Sequence, residues 1–160
     1  MRKSLITTAV LGALAAPSFV FAADAAPASD FTTSGAAGLF SQYIFRGLTQ
    51  TDRRPAVQAN FDINHSSGLY LGIWSSNVSW PRDNYGATPV YSKGGSQEID
   101  VYAGFKTDLG KSGFGIDLGA LQYYYPGKEN PANLGGNPKL NTTELYGAIN
   151  YHWVQAKISG

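Results

Sequence analysis

The residues that could do chemistry are few. Two histidines occur, His65 and His152. A serine hydrolase needs a Ser activated by a His that a third polar group orients. No Gly-x-Ser-x-Gly lies anywhere in the chain, and that is the motif that lifts a nucleophile onto a sharp strand-to-helix turn. His65 falls in a short turn and His152 at a strand end, so both read as solvated or structural. Glu98 and Asp100 stand two residues apart, which on a strand puts both on one face. A glycosidase pair would need a substrate cleft and one raised pKa; an acidic wall needs neither, and is the simpler reading. Asp83 with Asn84, and Glu129 with Asn130, offer oxygen ligands without the regular spacing of a calcium loop. Gly94-Gly95-Ser96 and Gly135-Gly136-Asn137-Pro138-Lys139 lack the following helix that a phosphate cradle requires. The chain has no cysteine, which removes disulfides, thiol nucleophiles, thiolate metal sites and a lipid anchor on a mature N-terminal Cys. The expectation is a protein that is not an enzyme, with no catalytic residue, no cofactor and no metal site.

The elements that carry these residues are strands. The period is two: Val57, Ala59, Phe61 and Ile63 alternate with Gln58, Asn60, Asp62 and Asn64. Seven runs follow this pattern, at about 34–46, 56–64, 69–80, 97–108, 114–125, 141–152 and from 154 onward. Each is close to the roughly 9–11 residues of a tilted membrane strand. In 97–108, Ile99, Val101, Ala103 and Phe105 oppose Glu98, Asp100, Tyr102 and Lys106. In 114–125, Phe114, Ile116, Leu118 and Ala120 oppose Gly115, Asp117 and Gly119. In 141–152, Leu145, Gly147, Ile149 and Tyr151 oppose Glu144, Tyr146, Asn150 and His152. The faces of the first and third runs stay open, because Leu71 and Ile73 share a side with Ser75 and Asn77 while Trp74, Val78 and Trp80 lie opposite.

Connection length sorts by parity. The turns near 65–68, 109–113 and 151–153 are short, whereas 47–55, 81–96 and 126–140 are long. Outer-membrane barrels combine short periplasmic turns with longer outer loops; a soluble sandwich has no reason to do so. Aromatic residues gather near the run ends: Tyr43, Phe45, Trp80 and Tyr123 to Tyr125 at one, Tyr70, Tyr151 and Trp153 at the other. They predict aromatic girdles at two interfaces.

The first 22 residues read as a secretory signal: a basic start at Arg2 and Lys3, an apolar stretch broken by Pro17, and a small-residue cleavage site ending at Ala22. Residues 23–33 read as a periplasmic lead-in, and 34–160 as the N-terminal part of a barrel. Without Arg2 and Lys3, the 12 Lys and Arg fall to 10 against 11 acids, a net of −1. No basic face of the kind that binds nucleic acid is present.

The piece Phe45-Arg46-Gly47, then Gln50-Thr51-Asp52 and Pro55-Ala56, resembles the N-terminal signature of the TorF family, porin-type outer-membrane proteins of proteobacteria. So do Gly72-Ile73-Trp74-Ser75-Ser76-Asn77-Val78, Glu98-Ile99-Asp100-Val101-Tyr102-Ala103-Gly104, Tyr123-Tyr124-Tyr125-Pro126-Gly127 and Thr143-Glu144-Leu145-Tyr146-Gly147. The resemblance runs from about Phe40 to the end of the chain. It implies a β-barrel with further strands beyond Gly160, so that the chain reads as a fragment. It brings no catalytic or binding residues, because the family has none established.

The resulting expectation is all-β: an antiparallel up-and-down transmembrane β-barrel, here about seven strands of it. It would sit in the outer membrane of a Gram-negative bacterium after export and pass small solutes or ions by diffusion. Expected partners are outer-membrane lipid, periplasmic chaperones and the barrel-assembly machinery. Expected lumen-lining residues are Arg46, Asp62, Glu98, Asp100, Lys106, Asp117 and Glu144, with Gln58, Asn60 and Asn150 beside them. Two bases against five acids give −3 and predict cation preference, since charge rings set ion preference in wide pores. An internal ion-pair network around Arg46 that plugs a narrow barrel is the competing reading of the same residues. At the first long connection, Asp52 is expected to pair with Arg46, Arg53 or Arg54. Alternatives in function are a plugged structural or receptor barrel whose outer loops bind a partner, an outer-membrane lipid-modifying enzyme, and a soluble periplasmic β-protein.

Overall fold

A computed structural model describes residues 29–83, 89–130 and 140–160. The expected signal segment, most of the lead-in, Asn84 and the glycine run at 135–136 lie outside them. Among the described residues, seven strands form one antiparallel sheet: β1 (Phe31–Phe40), β4 (Ala56–His65), β5 (Leu69–Asn77), β7 (Gln97–Asp108), β8 (Phe114–Tyr124), β10 (Thr142–Tyr151) and β11 (Val154–Ser159). Their spatial order is their chain order, so the topology is up-and-down. β1 and β11 are the two edges and do not pair with each other; no closed barrel forms among the described residues. Two ribbons, β2 (Ile44–Phe45) with β3 (Leu48–Thr49) and β6 (Tyr91–Gly94) with β9 (Gly127–Glu129), stand outside the sheet. One short helix, α1, covers Trp80–Asp83.

The sequence-based strands from 56 onward agree with these to within a few residues. Strand one does not. It begins at Phe31, inside the expected lead-in, and ends at Phe40 rather than at Arg46. Ile44 and Phe45 instead pair back on Thr49 and Leu48. The two-residue turn between them, Arg46 (φ 48) and Gly47 (φ 83), has both residues in the left-handed region, the pattern whose twist suits a tight hairpin. The third run stops at Asn77. Pro81, which has no amide proton for a sheet, opens a helical turn in which Arg82 and Asp83 donate to the Ser79 carbonyl.

The sheet is inverted relative to a protein in water. The face carrying Leu39, Val57, Phe61, Leu71, Ile73, Val101, Phe105, Leu118, Leu145 and Ile149 is exposed. Leu145 keeps 67% of its surface, while Glu98 keeps 2% and Asp100 8% on the opposite face. The register settles the two faces that the sequence left open. Ala37 and Leu39 align with Ala59 and Val57 on the apolar side, and Tyr70 and Trp74 align with Asn64 and Asn60 on the polar one.

On the polar face, glycines and tyrosines interlock. Gly72 pairs with Tyr102, Tyr70 with Gly104 and Gly119 with Tyr146. Each ring lies over its glycine: a Cβ on Gly72 would meet the Tyr102 ring, and one on Gly119 the Tyr146 ring and, at 2.7 Å, the Ala103 carbonyl. The Tyr70 and Tyr146 hydroxyls meet each other across β7 and β8. Strand spacing of about 4.7–4.9 Å puts β5 and β10 about 14 Å apart in a flat sheet, with side chains standing parallel. Their meeting reflects a sheet curved toward the polar face.

Gly104 tests this packing. A Cβ there would meet the Tyr70 hydroxyl and, at 2.5 Å, the Leu118 carbonyl, so Gly104→Val should cost about 1–3 kcal/mol. Gly147→Ala, which meets only a Leu118 methyl at 3.3 Å, should cost clearly less. Urea midpoints of the folded-to-unfolded transition compare the two.

Candidate functional site

The site is built from the polar face and the first long connection. After β1 the chain turns inward, and the β2–β3 hairpin lies against the wall made by β7, β8 and β10. Tyr43 donates from its hydroxyl to Glu98 at 2.9 Å, and its ring packs edge-on to Trp74 at 5.3 Å. Phe45 packs on Tyr123 at 6.1 Å. Arg46 reaches Glu144 with one nitrogen at 3.0 and 3.2 Å to the two oxygens. Thr51 holds the base of the hairpin: its hydroxyl accepts from the Tyr43 amide and donates to the Arg54 carbonyl.

The three long connections are tied to one another. Ser79 donates its amide to Gln50 at 2.8 Å. Arg54 bridges Asp83 at 2.6 Å and Asp52 at 3.2 Å, so Asp52 takes Arg54 among the partners considered, and not Arg46. β6 and β9 join the second and third connections. Val78, Tyr91, Tyr123 and Tyr125 form the buried apolar cluster under this cap, with Tyr43, Phe45, Trp80, Leu121 and Leu140 packed against it. That corrects the expected girdle at this end. Tyr43, Phe45, Trp80, Tyr123 and Tyr125 are packed inside, because parity puts Tyr123 and Tyr125 on the polar face; only Tyr124 of that run is exposed.

The seven expected residues fall together, six on the polar face of the sheet and Arg46 above it on the hairpin. Their partners differ from the expected ion-pair network. Arg46–Glu144 is the one salt bridge among them within the described residues, and its half-exposed guanidinium limits its worth to about 1 kcal/mol or less. The other acids are held by phenols and amides. Glu98 accepts from Tyr43 and, at 2.8 Å, from Tyr125. Asp62 accepts from Tyr102 at 2.5 Å and from Asn60 at 2.7 Å. Asp117 accepts from Tyr70 at 2.5 Å. Lys106 donates to Asn64 at 2.8 Å and lies over the Tyr70 ring. Asp100 is the exception: its Oδ1 is buried without a partner among the described residues. Cross-strand, it stands between Trp74 and Tyr123.

The tyrosines are the residues that the sequence reasoning missed, although the signal was present. Tyr102 shares parity with Glu98 and Asp100, Tyr123 with Asp117, and Tyr146 with Glu144. The histidines lie at the other end of the sheet. His65 bonds Ser67 in its own turn at 2.8 Å, and His152 stacks edge-on to Tyr151.

A family model described as a bacterial protein of unknown function, Gcw_chp, matches residues 24–160. The chain belongs to the Gcw_chp family. None of the curated proteins and none of the solved structures matches it. The Gcw_chp match spans all seven strands of the sheet, the inward hairpin and every acid of the polar face. The family carries no assigned activity, so the resemblance to TorF proteins enters only the proposal below.

Two predictions follow the geometry around Glu98. Tyr125→Phe removes one of its two donors and should destabilise the fold by about 1–3 kcal/mol, read from the same urea midpoint. Burial pushes the phenols of Tyr43 and Tyr125 up, and the neighbouring Glu98 charge adds to it. The folded state therefore holds these protons more tightly than the unfolded one. Stability should be flat from neutral pH to about 10 and fall above it, as alkaline unfolding curves will reveal.

Proposed function

We propose that this chain forms the wall of an outer-membrane β-barrel that lets small solutes or ions diffuse through a polar interior. The inverted sheet carries the reading. Its apolar side chains are exposed on all seven strands, and its carboxylates, with Tyr70, Tyr102, Tyr123 and Tyr146, are gathered on the other face. Lipid on the outside and a polar lumen inside account for both at once. In water, so large a contiguous apolar surface would be a liability. The sorting of long and short connections, the signal-like N-terminus and the resemblance to TorF proteins support the same reading. In hydrocarbon the edges at β1 and β11 need partners.

A plugged barrel is the second reading, favoured by the inward hairpin and the buried tyrosine cluster beneath the long connections. In that case the long connections are the functional surface.

The test uses the full-length gene product in planar bilayers. Discrete conductance steps that scale with salt support the conduit; silence from a correctly folded, heat-modifiable protein supports the plug. Leu118→Arg, in the middle of the apolar face, should cost about 2–4 kcal/mol of stability in membranes. A protein that tolerates this change and stays soluble without detergent would sink both.

A further inference from the structure

We propose that the β2–β3 hairpin forms the narrowest point of this conduit and that Asp100, on the wall beneath it, makes that point prefer cations. The inference rests on the conduit reading and locates its selectivity.

Three observations carry it. Among the described residues, the hairpin crosses onto the polar face, where Tyr43 and Arg46 reach β7 and β10. Whatever passes along the face must pass beside this hairpin, because Tyr43, Phe45 and Arg46 close the gap to that wall. The wall there is acidic: Glu98 shares the face of β7 with Asp100 two residues away, and Glu144 stands on the same face two strands across, on β10. Two of the three acids are already engaged: Glu98 by two phenols, Glu144 by Arg46. Asp100 is not. Its Oδ1 is buried, with no donor among the described residues. A buried acceptor without a donor is unfavourable and is relieved by whatever brings positive charge to it. Trp74 and Tyr123 flank it, and aromatic faces also attract cations. The described residues hold no cluster of His, Asp and Glu fit to bind a metal. The feature therefore suits a cation in passage, an alkali ion or a small ammonium, rather than a resident divalent ion. Arg46 opposes this preference: it neutralises Glu144 and clips the hairpin in place.

The experiment is single-channel recording of the full-length protein under a potassium chloride gradient, with heat-modifiable mobility as the check on folding. Asp100→Asn should lower the cation-over-anion permeability ratio by about twofold or more. Asp108→Asn makes the same charge change at the far end of β7 and should lower it less. Arg46→Gln should raise both conductance and cation preference. Equal effects at Asp100 and Asp108, or none at Asp100, would overturn the assignment while leaving the conduit intact. If Asp100→Asn fails to fold, Arg46→Gln decides, and an unchanged conductance and ratio there rejects the hairpin as the constriction. A folded but silent wild-type protein would reject the conduit itself, and the constriction with it.

Discussion

The structure depends on carboxylates finding donors on a face that carries twice as many acids as cations. Six acids lie on the polar side of the sheet, Asp108 at the far end of β7 among them, and one salt bridge among the described residues reaches them. A buried carboxylate without a hydrogen bond is costly, and among the described acids of this face Asp100 is the one that bears that cost. Here the donors are tyrosine hydroxyls, which supply a proton without adding charge. Tyr43 and Tyr125 hold Glu98, Tyr102 holds Asp62, and Tyr70 holds Asp117. The rings need room, and the room comes from Gly72, Gly104 and Gly119 across the strand ladder. Acid, phenol and glycine thus form one device repeated along the sheet, and its convergent hydroxyls go with the curvature toward that face.

Much of this was legible in the sequence, because strand period and turn chemistry are local. The runs at 97–108 and 114–125 read correctly nearly to the residue, and the short turns fell where Gly68, Gly110 and Gly113 take positive φ. The end of strand one was not legible. Tyr43, Ile44 and Phe45 have high strand propensity, and they are indeed in extended backbone or beside it. What sends them inward is the Arg46-Gly47 turn, and an Arg in the left-handed region is not a residue type that announces a hairpin. The aromatic residues near it were read as interfacial for the same reason: propensity says strand, while their burial depends on a loop folding over them. The partners of the acids were hidden differently. Parity placed tyrosines and carboxylates on one face, but only the register between strands brings Tyr70 to Asp117 or Tyr102 to Asp62.

Period two also leaves the solvent unassigned, since a sheet half-buried in water and a sheet in lipid alternate alike. In the folded chain the two faces differ in what each touches. A sandwich of two such sheets would cover the apolar side and turn the other outward to water. Water would then compete for the phenol–carboxylate bonds, and nothing would keep Glu98 at 2% exposure under a hairpin. Here the polar face is the one that is capped, by the hairpin and by the cluster around Tyr91 and Tyr125, and the apolar face is the one left bare. That asymmetry is the observation on which the proposal of a lipid-facing wall rests.

The cap also explains why the long connections are long. A two-residue turn closes a β-hairpin in the plane of the sheet, as at His152-Trp153 between β10 and β11. Crossing back over a face takes more chain, and the crossing must bring its own donors and apolar surface. Tyr43, Phe45 and Arg46 supply these for the first connection, Trp80 and Tyr91 for the second, and Leu140 for the third. Ser79 to Gln50, Arg54 to Asp83 and the β6–β9 ribbon then bind the three connections into one unit. Loss of any single exposed link, such as Arg54–Asp83, leaves the others in place. Among the interior contacts, Glu98 is the carboxylate that anchors both the hairpin through Tyr43 and the chain just after β8 through Tyr125.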